Sequence, residues 1–374
     1  MEKLKEPIQV TQPDLPPIEE VKAYLDIMWV NKWLTNGGPL HEEFEQKLAE
    51  FLGVPYVSLF ANGTLALLIA LRSLDIEGEV ITTPYSFVAT AHALQWNNIK
   101  PVFVDIEPVY GNLNPEKIEA AITEKTTAIV PVHVYGNPCN VEQINEIAKK
   151  HGLKVIYDAA HAFGVTYKGQ SILNFGDLSV LSFHATKGYN TFEGGAIICH
   201  DAETKKQINF LKNFGFTNDL IVDKIGINAK MNEFQAAVGL LNLNYVNENI
   251  NTRKSLDTLY RDLLAEVSGV EPLPVHPACT FNYNYFPVFI DDRQYGKTRD
   301  DLYFALRSNN ILVRRYFYPL IANFKVYEQL PSSAKDKLPV ANQKSAQVIC
   351  LPMYTKLEAD QVEMIVDFIK SFRV

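Results

Sequence analysis

The chain has 374 residues, 47% of them hydrophobic and 21% charged, with 35 Lys and Arg against 43 Asp and Glu. That apolar fraction excludes a disordered chain, and about 300 residues already suffice to bury roughly 75% of the unfolded surface in one or two cores. The formal charge of −8 argues against a protein that coats nucleic acid, whose affinity comes from cationic contacts to phosphates; one small anion needs only a local pocket.

After Pro16 and Pro17 the first element predicted is an amphipathic helix over 18–29. A loop, WLTNGGPL, separates it from a second helix, HEEFEQKLAEFLG. Short apolar runs at 56–60, 79–83, 101–104, 128–132 and 154–157 read as strands. Helical patterns at 64–73, 88–96, 115–122 and 141–151 lie between them. Such alternation predicts a mostly parallel sheet covered by helices. Runs at 180–183 and 195–199 follow closely enough to pair as an antiparallel insertion. From about Met231 the texture changes: one long helix over 232–264, a tyrosine-rich strand TFNYNYFPVFI, a helix over 298–308, a strand ILVRRYF and a last helix over 358–372. The expected organisation is α/β, with a large domain over 1–240 and a smaller α+β domain over 241–374.

No run of about 18 apolar residues is present to span a bilayer, and the N-terminal segment lacks the apolar stretch of a signal peptide. The four cysteines form no CxxC pair, so neither a disulfide framework nor a metal site is expected. A cytoplasmic protein without membrane or nucleic-acid partners is the expectation.

Three features carry chemistry. No GxGxxG or GxxxxGK[ST] exists, which removes the dinucleotide and P-loop readings. Instead, Ala61-Asn62-Gly63-Thr64 follows the first strand and opens a helix, where free N–H groups and a hydroxyl can cradle a phosphate. Asp158 ends the run LKVIY, at the carboxyl end of a parallel strand, where such sheets bind ligands. Lys187 sits among hydroxyls, a histidine and a Gly-Gly pair in SFHATKGYNTFEGG. Singly, these read equally well as two helix caps and a surface lysine. Together they match pyridoxal phosphate, which needs a phosphate cradle, a carboxylate for its ring nitrogen and a lysine for its aldehyde. A lysine at its ordinary pKa is neutral in only roughly one molecule in a few thousand at pH 7, so the site must depress it.

The ordered motifs GTLAL, PYSFVATAHAL, PVFVDIEP, HVYGNPCN, DAAHAFG, SFHATK with EGGAI, and GINAKMNEFQAAVG resemble the DegT/StrS-type nucleotide-sugar aminotransferases. The resemblance implies the fold type I (aspartate aminotransferase-like) architecture: a mostly parallel seven-stranded sheet plus a small C-terminal α+β domain. It implies Lys187 as the Schiff-base lysine and Asp158 as the partner of the pyridine nitrogen. Gly63, Thr64 and Ser182 would hold the phosphate, Phe87 would stack on the ring, and His161 would lie near the ring hydroxyl. Asn228 matches an asparagine that the family donates across a homodimer to the partner's phosphate. Asn62 departs from a more usual serine.

His184 and His161 are similar to members that aminate C4 of a dTDP-linked 4-keto-6-deoxyglucose with L-glutamate as donor, for surface polysaccharide or glycan synthesis. Amination at C3, a 3-dehydratase on the same scaffold or a non-catalytic sensor are the alternatives; the dehydratases resemble this pattern with histidine in place of Lys187. Lys230 stands where many members have arginine. Trp33, Thr35 and Asn36, with Arg314, Arg315 and Tyr316, are candidates to line the outer nucleotide-sugar pocket.

Overall fold

A computed structural model describes residues 4–373. Helices α1 (Ile18–Asn31) and α2 (Pro39–Leu52) lead into β1 (Tyr56–Phe60) and α3 (Gly63–Ser73). Next come β2 (Glu79–Thr82), α4 (Ala89–Trp96), β3 (Lys100–Phe103), β4 (Thr126–Val130), α5 (Val141–His151) and β5 (Lys154–Asp158). A hairpin of β6 (Thr166–Tyr167) and β7 (Gln170–Ser171) precedes β8 (Leu178–Ser182), β9 (Gly195–Cys199), α6 (Ala202–Leu211), α7 (Glu233–Leu243) and α8 (Val246–Leu264). The C-terminal third holds β10 (Val270–Pro272), β11 (Cys279–Thr280), β12 (Phe286–Ile290), α9 (Asp292–Tyr295), α10 (Arg299–Ser308), α11 (Pro339–Gln347), β13 (Val348–Leu351) and α12 (Ala359–Ser371).

The main sheet has seven strands in the order β1-β9-β8-β5-β4-β2-β3. All are mutually parallel except β9, which runs antiparallel between β1 and β8. Its strands are buried on both faces, as βαβ crossovers require. One apolar cluster packs α2, α5 and α7 on one face, and another packs α3, α4 and α6 on the other. A three-stranded sheet, β10-β12-β13, makes a separate core with α8, α10 and α12. This α/β architecture with a mostly parallel seven-stranded sheet is that of fold type I.

Several predicted elements differ. Residues 115–122 form two short 3-10 turns, not an α-helix: Ile118, Ala121 and Ile122 do pack on the core, but the backbone closes on the third preceding carbonyl at Ile118, Ala121 and Ile122. The long helix over 232–264 breaks at Asn244, which caps α7 before Tyr245 turns the chain into α8. ILVRRYF is not a strand: it touches its neighbours only at the isolated pairs Ile8–Ile311 and Arg314–Cys350. Beyond Arg314 the chain leaves the sheet edge, since Phe317 buries against Tyr85 and Tyr135 under the main sheet's carboxyl edge.

Candidate active site

The sheet's carboxyl edge opens into a cavity of about 660 Å³. Its first wall is the turn from β1 into α3. Asn62 is extended, and its Oδ1 accepts the Leu65 N–H at 2.9 Å. Asparagine in the serine position is therefore the helix cap. It leaves the Gly63 and Thr64 N–H groups, at the positive end of the helix dipole, on the cavity wall.

Glycine is required here by close approach. A Cβ on Gly63 would lie 2.9 Å from Ser182 Cβ, and one on Gly195 would lie 2.7 Å from the Gly63 nitrogen. The ends of β1 and β8 and the start of β9 thereby converge. Ser182, the last residue of β8, joins Gly63 and Thr64 in lining the cavity.

Asp158, the last residue of β5, is 5% exposed and also faces the cavity. Its Oδ2 accepts from Thr90 Oγ1 at 2.8 Å and its Oδ1 from the Ala160 N–H at 3.1 Å. Burial pushes its pKa up, opposed by the Thr90 and Ala160 hydrogen bonds and by the charge of Lys187. A carboxylate held dry at this cost is stabilised by any cation that enters beside it.

Lys187 lies on the loop between β8 and β9, in a turn fixed by its own N–H to the His184 carbonyl at 2.8 Å. Burial lowers its pKa to about 8, with Asp158 opposing the shift. At pH 7 roughly one molecule in ten then carries a neutral amine, against one in a few thousand at the ordinary value. Its Nζ donates to Tyr285 Oη at 3.1 Å.

His161, 4% exposed, accepts the Tyr135 N–H on Nδ1 at 3.1 Å. Burial, aided by Lys187, holds its pKa well below the usual imidazole value. It is therefore a neutral ring with its proton on Nε2. Phe87 leaves 60% of its surface uncovered on the cavity wall and meets no other ring among the described residues. A bare aromatic face, a dry carboxylate, a depressed lysine and a helix N-terminus around one space fit a flat, phosphorylated pyridine aldehyde.

The remaining sequence candidates divide. His184 and Tyr316 line the cavity, with Glu193, Thr186 and Phe317. His184 Nδ1 meets Thr186 Oγ1 at 2.8 Å, and its Nε2 lies 3.7 Å from Glu193. Trp33, Thr35, Asn36, Lys230, Arg314 and Arg315 do not line this cavity. Trp33 donates to the Asn36 carbonyl at 3.1 Å within its own loop. Lys230 sits 4.5 Å from the Phe214 ring centroid. The Arg315 guanidinium pairs with Asp300 at 2.8 Å and stacks over Tyr303 and Tyr318, while Arg314 engages Cys350 by backbone. Asn228 is exposed at the base of an apolar flap and stands outside the cavity of its own chain.

Thr90 and Tyr285 escaped the sequence reading. Thr90 is inside the motif PYSFVATAHAL, and Tyr285 is inside the tyrosine-rich run; in both, an ordinary core or strand role masked the contact.

The sequence matches the DegT/DnrJ/EryC1/StrS aminotransferase family over residues 18–370. It is 52% identical, over 95% of this chain and 96% of the relative, to an Escherichia coli dTDP-4-amino-4,6-dideoxy-D-glucose transaminase. A Shigella dysenteriae protein of the same name is 49% identical over 99% of this chain and 100% of its own length. Among solved structures, DesI in the presence of its TDP-sugar product superposes with a TM-score of 0.95 at 35% identity, covering 99% of this chain and 94% of that one.

Proposed function

The chain belongs to the DegT/DnrJ/EryC1/StrS aminotransferase family, and from that premise we propose that it moves an amino group from L-glutamate to C4 of dTDP-4-keto-6-deoxy-D-glucose. The products are dTDP-4-amino-4,6-dideoxy-D-glucose and 2-oxoglutarate. The enzyme is a transaminase of nucleotide sugars, and its cofactor is pyridoxal phosphate. The observation that carries the reading is the convergence of Asp158 and Lys187 on one cavity, in a chain half identical to transaminases of that name.

When bound, pyridoxal phosphate supplies an aldehyde that an amine can capture and a ring that takes up the electron pair of a broken Cα–H bond. Gly63, Thr64 and Ser182, which line the cavity, would hold its phosphate. Asp158, its carboxylate aimed by Thr90 and the Ala160 N–H, would keep the ring nitrogen protonated. His161 would offer its Nε2 proton to the ring oxygen, and Phe87 would stack on the ring. Lys187 would be the amine that holds the aldehyde, and its Nζ, when free and neutral, would be the base that takes the donor's α proton and hands it back. The ketosugar would meet the same residues after the donor has left, so ping-pong kinetics are expected. His184, Glu193 and Tyr316, at the cavity, are the sugar-facing candidates.

The active form is a homodimer. Leu220 and Ile225, near Asn228, are 93% and 84% exposed, and Trp29 and Val30 on α1 are 72% and 80% exposed, apolar surface that a second copy would cover; by the family resemblance Asn228 would then serve the partner's phosphate. No described helix is long and apolar enough to cross a membrane; the enzyme is read as cytoplasmic, serving surface polysaccharide synthesis, on its family resemblance.

The test is incubation with glutamate and dTDP-, UDP- and GDP-linked ketosugars, with the aminated carbon located by NMR. C4 amination of the dTDP sugar is expected. Turnover only of 3-ketosugars would move the enzyme to C3 chemistry, and no turnover with any donor would favour a sensor.

A further inference from the structure

The tyrosine-rich stretch before β12 brings one phenol to the catalytic lysine. Tyr285 Oη accepts from Lys187 Nζ at 3.1 Å, and Nζ lies 5.7 Å from the ring centroid. That ring is wedged in place. It lies 4.8 Å from the His161 ring, with Tyr135 at 5.9 Å and Tyr316 at 6.1 Å, both edge-on. Burial raises the phenol's pKa, so the hydroxyl stays neutral across the working range. Its own proton finds no acceptor among the described residues, and Tyr285 lines the cavity.

Lys187 has four rotatable stem bonds, and between its two covalent engagements its amine needs a fixed resting place within reach of the donor's Cα. Among the described residues, Tyr285 is the sole side chain hydrogen-bonded to Nζ. Asp158 acts on Nζ through its charge without a hydrogen bond, and its own oxygens are held by Thr90 and Ala160. We propose that Tyr285 is a positioning residue for Lys187: its hydroxyl oxygen holds Nζ whenever the amine is released, keeping it aimed at the carbon whose proton it moves. The inference rests on the transaminase reading. It adds that the C-terminal three-stranded sheet, whose strand β12 begins at the next residue, sets where the lysine of the main sheet waits.

The test compares wild type with Tyr285→Phe, which removes one oxygen, and with Tyr285→His, which restores an acceptor. In the apoenzyme, the pH dependence of Lys187 acylation by a small reagent, read by mass spectrometry of its peptide, reports the amine directly. Loss of an acceptor from an ammonium is expected to lower that inflection by roughly one pH unit in Tyr285→Phe, with partial return in Tyr285→His. In single turnover with glutamate, Tyr285→Phe is expected to be slowed roughly tenfold or more while its affinity for pyridoxal phosphate changes less than about twofold.

Unchanged inflection and unchanged single-turnover rate would overturn the proposal. So would an inflection that rises in Tyr285→Phe, because losing an acceptor can only disfavour the ammonium. A wild-type protein that takes up no pyridoxal phosphate would instead overturn the functional reading on which this one stands.

Discussion

His161 Nδ1 accepts the Tyr135 N–H at 3.1 Å, which leaves the ring's proton on Nε2. With its pKa held well below the usual value by burial, this imidazole is a fixed donor and not a titrating acid. His161→Gln keeps a donor of similar reach; its pH–rate profile is expected to overlay that of wild type. His161→Phe removes the donor and should slow the half-reaction with glutamate roughly tenfold or more. Stopped-flow absorbance of the bound cofactor checks both. An inflection near pH 6 that vanishes in His161→Gln would contradict the neutral assignment.

Thr90 supplies one of two hydrogen bonds to Asp158. Thr90→Val keeps the shape and deletes that bond, so the Asp158 pKa rises further and the carboxylate loses its aim. Cofactor affinity, measured by reconstituting apoenzyme under fluorescence, should fall roughly tenfold, the worth of about 1.5 kcal/mol. Thr90→Ser should stay close to wild type.

Gly195 admits no side chain, because the contact a Cβ would meet is backbone, the Gly63 nitrogen at 2.7 Å. Gly195→Ala must push the start of α3 away from Ser182. The expected result is loss of bound phosphate and of most cofactor, together with a cost of about 1–3 kcal/mol in apoenzyme stability. Cofactor content and a thermal melt of the same sample read the two effects.

The Lys187 pKa of about 8 sets a pH dependence whose sign follows from which form reacts. Only the neutral amine captures an aldehyde. The rate at which apoenzyme takes up pyridoxal phosphate should therefore rise nearly tenfold from pH 6 to 7 and level off above about 8. Stability has the same sign: between about 8 and the ordinary lysine value the unfolded chain binds the extra proton, so this group's contribution grows as pH rises. A rate still climbing steeply at pH 10 would mean an unperturbed amine.

Strand–helix alternation and the antiparallel β9 were legible because apolar runs and their spacing encode them locally. Asp158, Lys187 and the β1–α3 turn were legible because each ends or follows a strand at the same edge of the sheet. The ILVRRYF segment was misread for a non-local reason. Its β-rich composition is spent on packing Phe317 under Tyr85 and Tyr135, contacts separated by over 180 residues. Arg315 gave no sign in sequence that Asp300, Tyr303 and Tyr318 would absorb its guanidinium. Thr90 and Tyr285 hide for a related reason: a hydroxyl's role depends on which charged group the fold sets beside it. The WLTNGGPL loop is held by Glu233, whose carboxylate accepts the Leu40 and His41 N–H groups and caps α2, a contact nearly two hundred residues long.

The central claim is that the Lys187 amine captures the cofactor's aldehyde. Borohydride treatment of holoenzyme followed by peptide mass mapping tests it most directly. One pyridoxyl-phosphate adduct per chain is expected, on the peptide containing Lys187, and none when glutamate is added before the reductant. An adduct on any other lysine, or a labelled Lys187→Ala protein, would contradict it.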